Sequence, residues 1–141
     1  MRKAMSSEEL MRTVVAAFAK SDLEPLLEAL HEDVVWKSAS RLEGPFSFHG
    51  EYRGRAGVRE VLSHIAKDYT FYAMKPRDVT AAGDMVWGCF DAGIRFDAKG
   101  KGTKQKLVHI DMAIRWRLKD GKIIEHQAFF DTAYLLQQQK A

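Results

Sequence analysis

Five histidines are the side chains here that titrate nearest neutrality, and one of them stands in an unusual place. His126 lies in Ile123-Ile124-Glu125-His126-Gln127-Ala128-Phe129-Phe130, a run rich in apolar residues. An imidazole walled by Ile114, Trp116 and Ala128 loses proton affinity through desolvation and is neutral at pH 7. In that form it serves as a general base or as the hydrogen-bond anchor of a ligand carbonyl or hydroxyl. The plainer alternative is a core histidine bonded to Ser38, a tyrosine hydroxyl or a water.

The other candidates are weaker. His31 and His49 fall at a helix end and in a loop, where solvation is expected. His109 and Asp111 are two residues apart, as metal ligands on a strand would be, but zinc takes three protein ligands even in catalytic sites. No metal and no cofactor is therefore expected, and the pair reads as part of an outer sheet face with Trp87, Arg115 and Arg117. Cys89 is the only cysteine, which excludes an intrachain disulfide and a thiolate cage. Inside a strand it reads as a small hydrophobe. Tyr52, Tyr69 and Tyr72 are read as surface packing, although each could donate at a pocket mouth. Asp131 reads as a local backbone cap.

Which way His126 points depends on the elements that carry it. In Leu107–Leu118 the residues Val108, Ile110, Met112, Ile114, Trp116 and Leu118 alternate with small or polar ones. Period two means a sheet with one buried and one outward face. Asp120-Gly121 follows, then Ile123–Ala133. A two-residue turn would pair Leu118 with Ile123 and put Glu125 and Gln127 on the apolar face. A three-residue loop, Lys119-Asp120-Gly121, would pair Trp116 with Ile124, Ile114 with His126, Met112 with Ala128 and Ile110 with Phe130. The second register matches apolar with apolar in three of four pairs and is the one expected, with His126 inward.

Upstream, Ser6 and Glu9 have capping-box spacing, and Leu10, Val14 and Phe18 form one helical stripe. A second helix opens at Ser21-Asp22 with Pro25 in its first turn, carries Leu23, Leu26, Leu27 and Leu30, and ends at His31-Glu32-Asp33. Val34-Val35-Trp36 reads as a short strand, and residues 39–53 as a loop with one extended piece. A third helix starts near Arg55 with Val58, Val61, Leu62 and Ile65. Strands follow at Thr70–Thr80, Met85–Phe96, Leu107–Leu118 and Ile123–Ala133. The expected fold class is α+β, three N-terminal helices packed on a strongly curved, mostly antiparallel sheet. Gly88 and Gly93 are suitable places for the sheet to bend.

At 141 residues the chain fits a single domain, 1–141, able to bury roughly 68% of its unfolded surface. The formal charge of +3 is small. Lys99, Lys101, Lys104 and Lys106 read as a solvated hairpin tip, and without an aromatic among them nucleic acid is not an expected partner. The longest apolar run, Val14–Ala19, falls far short of a membrane span, and Ser6-Ser7-Glu8-Glu9 occupies the place of a signal-peptide core. A cytoplasmic protein with no membrane partner is expected.

The segments Asp22–Ser38, Gly50–Gly54, Trp116–Ile123 and Phe130–Ala133, in this order and spacing, resemble the NTF2-like superfamily. Within it, the likeness is to the SnoaL-like and ketosteroid-isomerase-related proteins. The resemblance implies a cone-shaped pocket and a homodimer, here through the outer sheet face. Ketosteroid isomerases use a tyrosine, an aspartate and a second acid, at the positions of Val14, Ser38 and Ile114 in this chain. All three groups are missing, so that chemistry is not supported. The cyclase and epoxide-hydrolase branches place an acid at about Ala128. Arg95-Phe96-Asp97 has the letters of an epoxide-hydrolase pair but sits too close to the hairpin, and is read as a chance match.

The expectation is an apolar pocket for a hydrophobic small molecule, lined by Trp36, Ser38, Met112, Ile114, Trp116, His126 and Phe130. His126 is its anchor, and the one candidate for catalysis; a reaction is left undetermined. The alternative from another class is a non-catalytic dimerisation module whose cone is filled by its own side chains.

Overall fold

Alternation along the central strand gives the face it predicts. In β5 (Lys106–Lys119), Val108, Ile110, Met112, Ile114 and Trp116 are buried, while His109, Asp111 and Arg117 are exposed. The computed structural model describes residues 5–43, 46–96 and 106–140. Lys99, Lys101, Lys104 and Asp97 therefore lie outside the described residues.

The chain runs α1 (Ser7–Phe18), α2 (Glu24–Ala29), β1 (Leu30–Lys37), β2 (Glu51–Arg53), α3 (Gly54–Asp68), β3 (Tyr69–Ala82), β4 (Met85–Phe96), β5, β6 (Lys122–Phe129) and α4 (Thr132–Lys140). Ser6 Oγ accepts from Glu9 N at 3.1 Å and starts α1. The strands form one curled six-stranded sheet in the order β2-β1-β6-β5-β4-β3. Neighbours are antiparallel except β1 and β6, which are parallel. Pro76 is accommodated at an irregularity of the edge strand β3, where a missing N–H is tolerated.

Three expectations need correction. The second helix stops at Ala29, because Leu30 already joins the sheet opposite Ile123; His31, Glu32 and Asp33 belong to β1. The last strand stops at Phe129 rather than Ala133, and a fourth helix follows. Asp131 Oδ1 accepts from Tyr134 N at 2.9 Å, the cap that starts α4. The fold class is α+β, but with four helices, one of them C-terminal.

The third correction concerns the turn. Asp120 and Gly121 have φ of 52° and 73°, and Leu118 pairs with Ile123: the connection is two residues, not three. That register should have turned His126 outward. A β-bulge intervenes, since Leu118 faces Ile123 but Arg117 faces Glu125, leaving Ile124 as an extra residue. The one-residue shift restores the inward parity of His126, with different partners. Trp116 faces His126 and Ile114 faces Ala128. Ile123 and His126, three apart, are thus both buried on the same side.

The helices cover this inner face. Met11 of α1 lies so close to Gly88 that a Cβ there would sit 2.6 Å from its Sδ and 2.5 Å from the Phe90 ring. The glycine is needed for that approach. Met11, Leu30, Val34, Val58, Val61, Phe90, Trp116, Ile123 and Leu135 are fully or almost fully buried. Each large side chain among them contributes roughly 1.5–3 kcal/mol by leaving water.

Candidate functional site

Apart from the polar atoms of Tyr69 and the tryptophans, the buried polar side chains among the described residues are Ser38, Ser40 and His126. The sheet register puts His126 in the middle of a cross-strand row: Trp36 of β1 is its partner on one side and Trp116 of β5 on the other. The Trp36 and His126 rings stack with centroids 3.5 Å apart and planes 11° from parallel. Trp116 Nε1 donates to His126 Nδ1 at 3.0 Å. His126 Nε2 has no hydrogen-bond partner among the described residues. Burial pushes the imidazole pKa down to about 3, because nothing near the ring compensates a buried positive charge.

The row opens onto a cavity of about 100 Å³ lined by α1, α2, α3, α4 and the inner sheet face. Trp36, Ser38, Met112, Ile114, Trp116, His126 and Phe130 all line it. So do Val14, Phe18, Val61, Ile65, Phe71 and Ala128. One water sphere needs about 10–15 Å³, so the void has room for a small organic ring. Ser38 Oγ accepts from Ser40 N at 3.3 Å and keeps its own proton to donate.

Of the wall residues not anticipated as pocket lining, three stand where the sequence was read differently. Tyr69, read as surface packing, is buried on the cavity wall; its hydroxyl donates to Gln139 Oε1 of α4 at 2.6 Å. Burial, and secondarily the charge of Asp68, push that phenol up to about 12. Phe48, from the segment read as loop, and Leu135 of α4 complete the wall. The signal for Leu135 was present in Asp131, a capping residue followed by helix formers.

The remaining candidates stand elsewhere. Tyr72 and His109 share a hydrogen bond of 3.1 Å, and Arg77 pairs with Asp111 at 3.4 Å, so both members of the two-apart pair have other partners. His49 is half-buried, and its Nδ1 donates to Phe46 O at 2.7 Å. His31 likewise is mostly covered, its Nδ1 accepting from Asp33 N. Tyr52 is half-buried beside His64, away from the cavity.

The positions matched to the isomerase tyrosine and acids and to the cyclase acid do face the cavity, but as Val14, Ser38, Ile114 and Ala128. Among the described residues, no carboxylate or basic side chain other than His126 is on the wall. The arrangement can hold an apolar molecule and offer it an imidazole, a hydroxyl and ring faces. It cannot run a two-carboxyl proton shuttle.

Comparison with known proteins agrees with this geometry. TerC, crystallised with polyporic acid, is 24% identical and superposes with a TM-score of 0.78 over 94% of this chain and 97% of its own. An NTF2-like protein of unknown function from Burkholderia pseudomallei is 20% identical, with a TM-score of 0.81 over 97% of this chain and 100% of its own. A protein of unknown function with a cystatin-like fold from Xanthomonas campestris is 20% identical, with a TM-score of 0.73 over 96% and 95%. At these identities the likeness is one of fold. No curated protein matches the sequence. Residues 11–126, from the first turns of α1 to the buried imidazole itself, match the model of the SnoaL-like domain, and the chain belongs to that family.

Proposed function

We propose that the protein binds a hydrophobic small molecule in the cone, with His126 as its polar anchor and Trp36, Ser38, Met112, Ile114, Trp116 and Phe130 as the ligand-contacting wall. The observation that carries this reading is an apolar cavity of about 100 Å³ whose wall includes a buried imidazole with one nitrogen unpartnered among the described residues. Apolar walls with few convergent polar groups are the usual composition of a ligand site. That TerC was crystallised with a small organic acid supports small-molecule binding on this fold. A scaffold with a filled cone would not leave such a void. The reading extends to a homodimer through the outer sheet face, acting in the cytoplasm; no described helix is long and apolar enough to cross a membrane.

The test is calorimetric titration with a small neutral aromatic ketone such as 1-indanone. His126→Ala should weaken binding about tenfold, equivalent to about 1.4 kcal/mol. Ala128→Phe, which fills the void, should abolish it. Undiminished affinity in both variants would place the ligand elsewhere.

A further inference from the structure

Two neighbours decide what kind of hydrogen bond His126 can make. An indole N–H only donates, so the nitrogen facing Trp116 Nε1 at 3.0 Å must offer a lone pair. That nitrogen is Nδ1. A neutral imidazole carries a single ring proton, which is therefore on Nε2. Turning the ring over would set a C–H against the Trp116 N–H and strand a buried donor. The stacked face of Trp36 keeps the ring plane. Nε2 is the atom without a protein partner among the described residues, and the ring is on the cavity wall.

We propose that the cavity selects neutral apolar molecules carrying a hydrogen-bond acceptor, a ketone, quinone, lactone or ether oxygen, and that His126 meets that oxygen as an Nε2–H donor rather than as a base. This rests on the pocket reading above and adds the polarity of the ligand to it. The rest of the wall points the same way. Ser38 has already accepted one hydrogen bond, from Ser40 N, and still holds its hydroxyl proton. Among the described residues no lysine or arginine lines the cavity to receive an anion, and no carboxylate to receive a cation. Charged ligands would be buried without a counter-charge. A group that can only donate, such as a pyrrole-type N–H, would face the Nε2 proton head-on.

The experiment compares 1-indanone with indane, the same bicyclic frame without the oxygen, by titration into the intact protein. Indanone should bind about tenfold more tightly, and the difference should vanish in His126→Leu while indane still binds. In parallel, long-range ¹⁵N NMR of the histidine-labelled protein without ligand should show a single Nε2–H tautomer. Trp116→Phe, which removes the indole donor, should turn that single form into a mixture. Equal affinities for the two probes, or an Nδ1–H tautomer in the wild type, would overturn the acceptor assignment and leave the pocket standing. Failure of both probes to bind would overturn the pocket reading and the ligand class with it.

Discussion

An imidazole that accepts from one indole and stacks on another is held in its uncharged form, and this has a measurable effect on stability. The folded-state pKa of His126 lies near 3, against 6.5 for an unperturbed histidine. Between those values the unfolded chain binds a proton on this ring that the folded chain does not. Stability is therefore complete above pH 6.5 and declines as pH falls toward 3. Each pH unit well inside that window removes about 1 kcal/mol. Comparing denaturant unfolding of wild type and His126→Gln from pH 6.5 to 5 should show a steeper decline in the wild type. Parallel curves would mean that the ring is protonated in the folded state. At this scale the sequence was partly legible. The inward direction of His126 followed from the apolar residues around it. Its true neighbours, Trp36 and Trp116, did not, because pairing across strands depends on register, and register depended on a bulge that alternation alone does not reveal.

At the scale of elements, long strands with strict alternation were read well: β4 spans Met85–Phe96 as expected, and β5 differs by one residue at each end. The helix α4 was missed because Ala128, Phe130 and Thr132 continue the period of β6, so a strand seemed to run on; only the cap at Asp131 breaks it. The parallel pairing of β1 with β6 joins strands far apart in the chain and has no local signature. The bulge at Ile124 has the largest consequence. Deleting Ile124 takes out the extra residue and leaves Leu118 opposite Ile123, Arg117 opposite Glu125 and Trp116 opposite His126, so His126 should stay inward on a regular hairpin. The expected outcome is a cooperatively unfolding variant whose buried tryptophans keep their wild-type emission. Ile124→Gly, which keeps the residue count, should likewise retain the native fold with a modest loss of stability. A deletion variant that unfolds without cooperativity and binds a hydrophobic dye would show that the residues beyond the bulge do not keep this register.

For the whole molecule, the outer sheet face is the surface left to explain. Trp87 and Phe129 are 40% and 41% exposed and stack with centroids 5.7 Å apart. Arg115 lies over both rings, donates to Glu125 at 2.9 Å, and has a buried Nε without an acceptor among the described residues. An exposed apolar pair beside a half-buried arginine suits the proposed two-fold contact with a second copy, which would cover the rings. Sedimentation velocity should find a dimer for the wild type and a monomer for Trp87→Glu, with the far-ultraviolet circular dichroism unchanged. A dimer that survives Trp87→Glu would move the interface off this face.

The placement of the three tryptophans has an optical consequence. Trp36 and Trp116 flank the imidazole in the buried interior, and Trp87 stands on the opposite side of the sheet, partly exposed. Their emission should therefore divide into a blue-shifted component sensitive to whatever occupies the cone and a red-shifted one sensitive to what covers the sheet. The protein thus carries two intrinsic fluorophore groups, one for each of its proposed surfaces, and needs no added label to distinguish them.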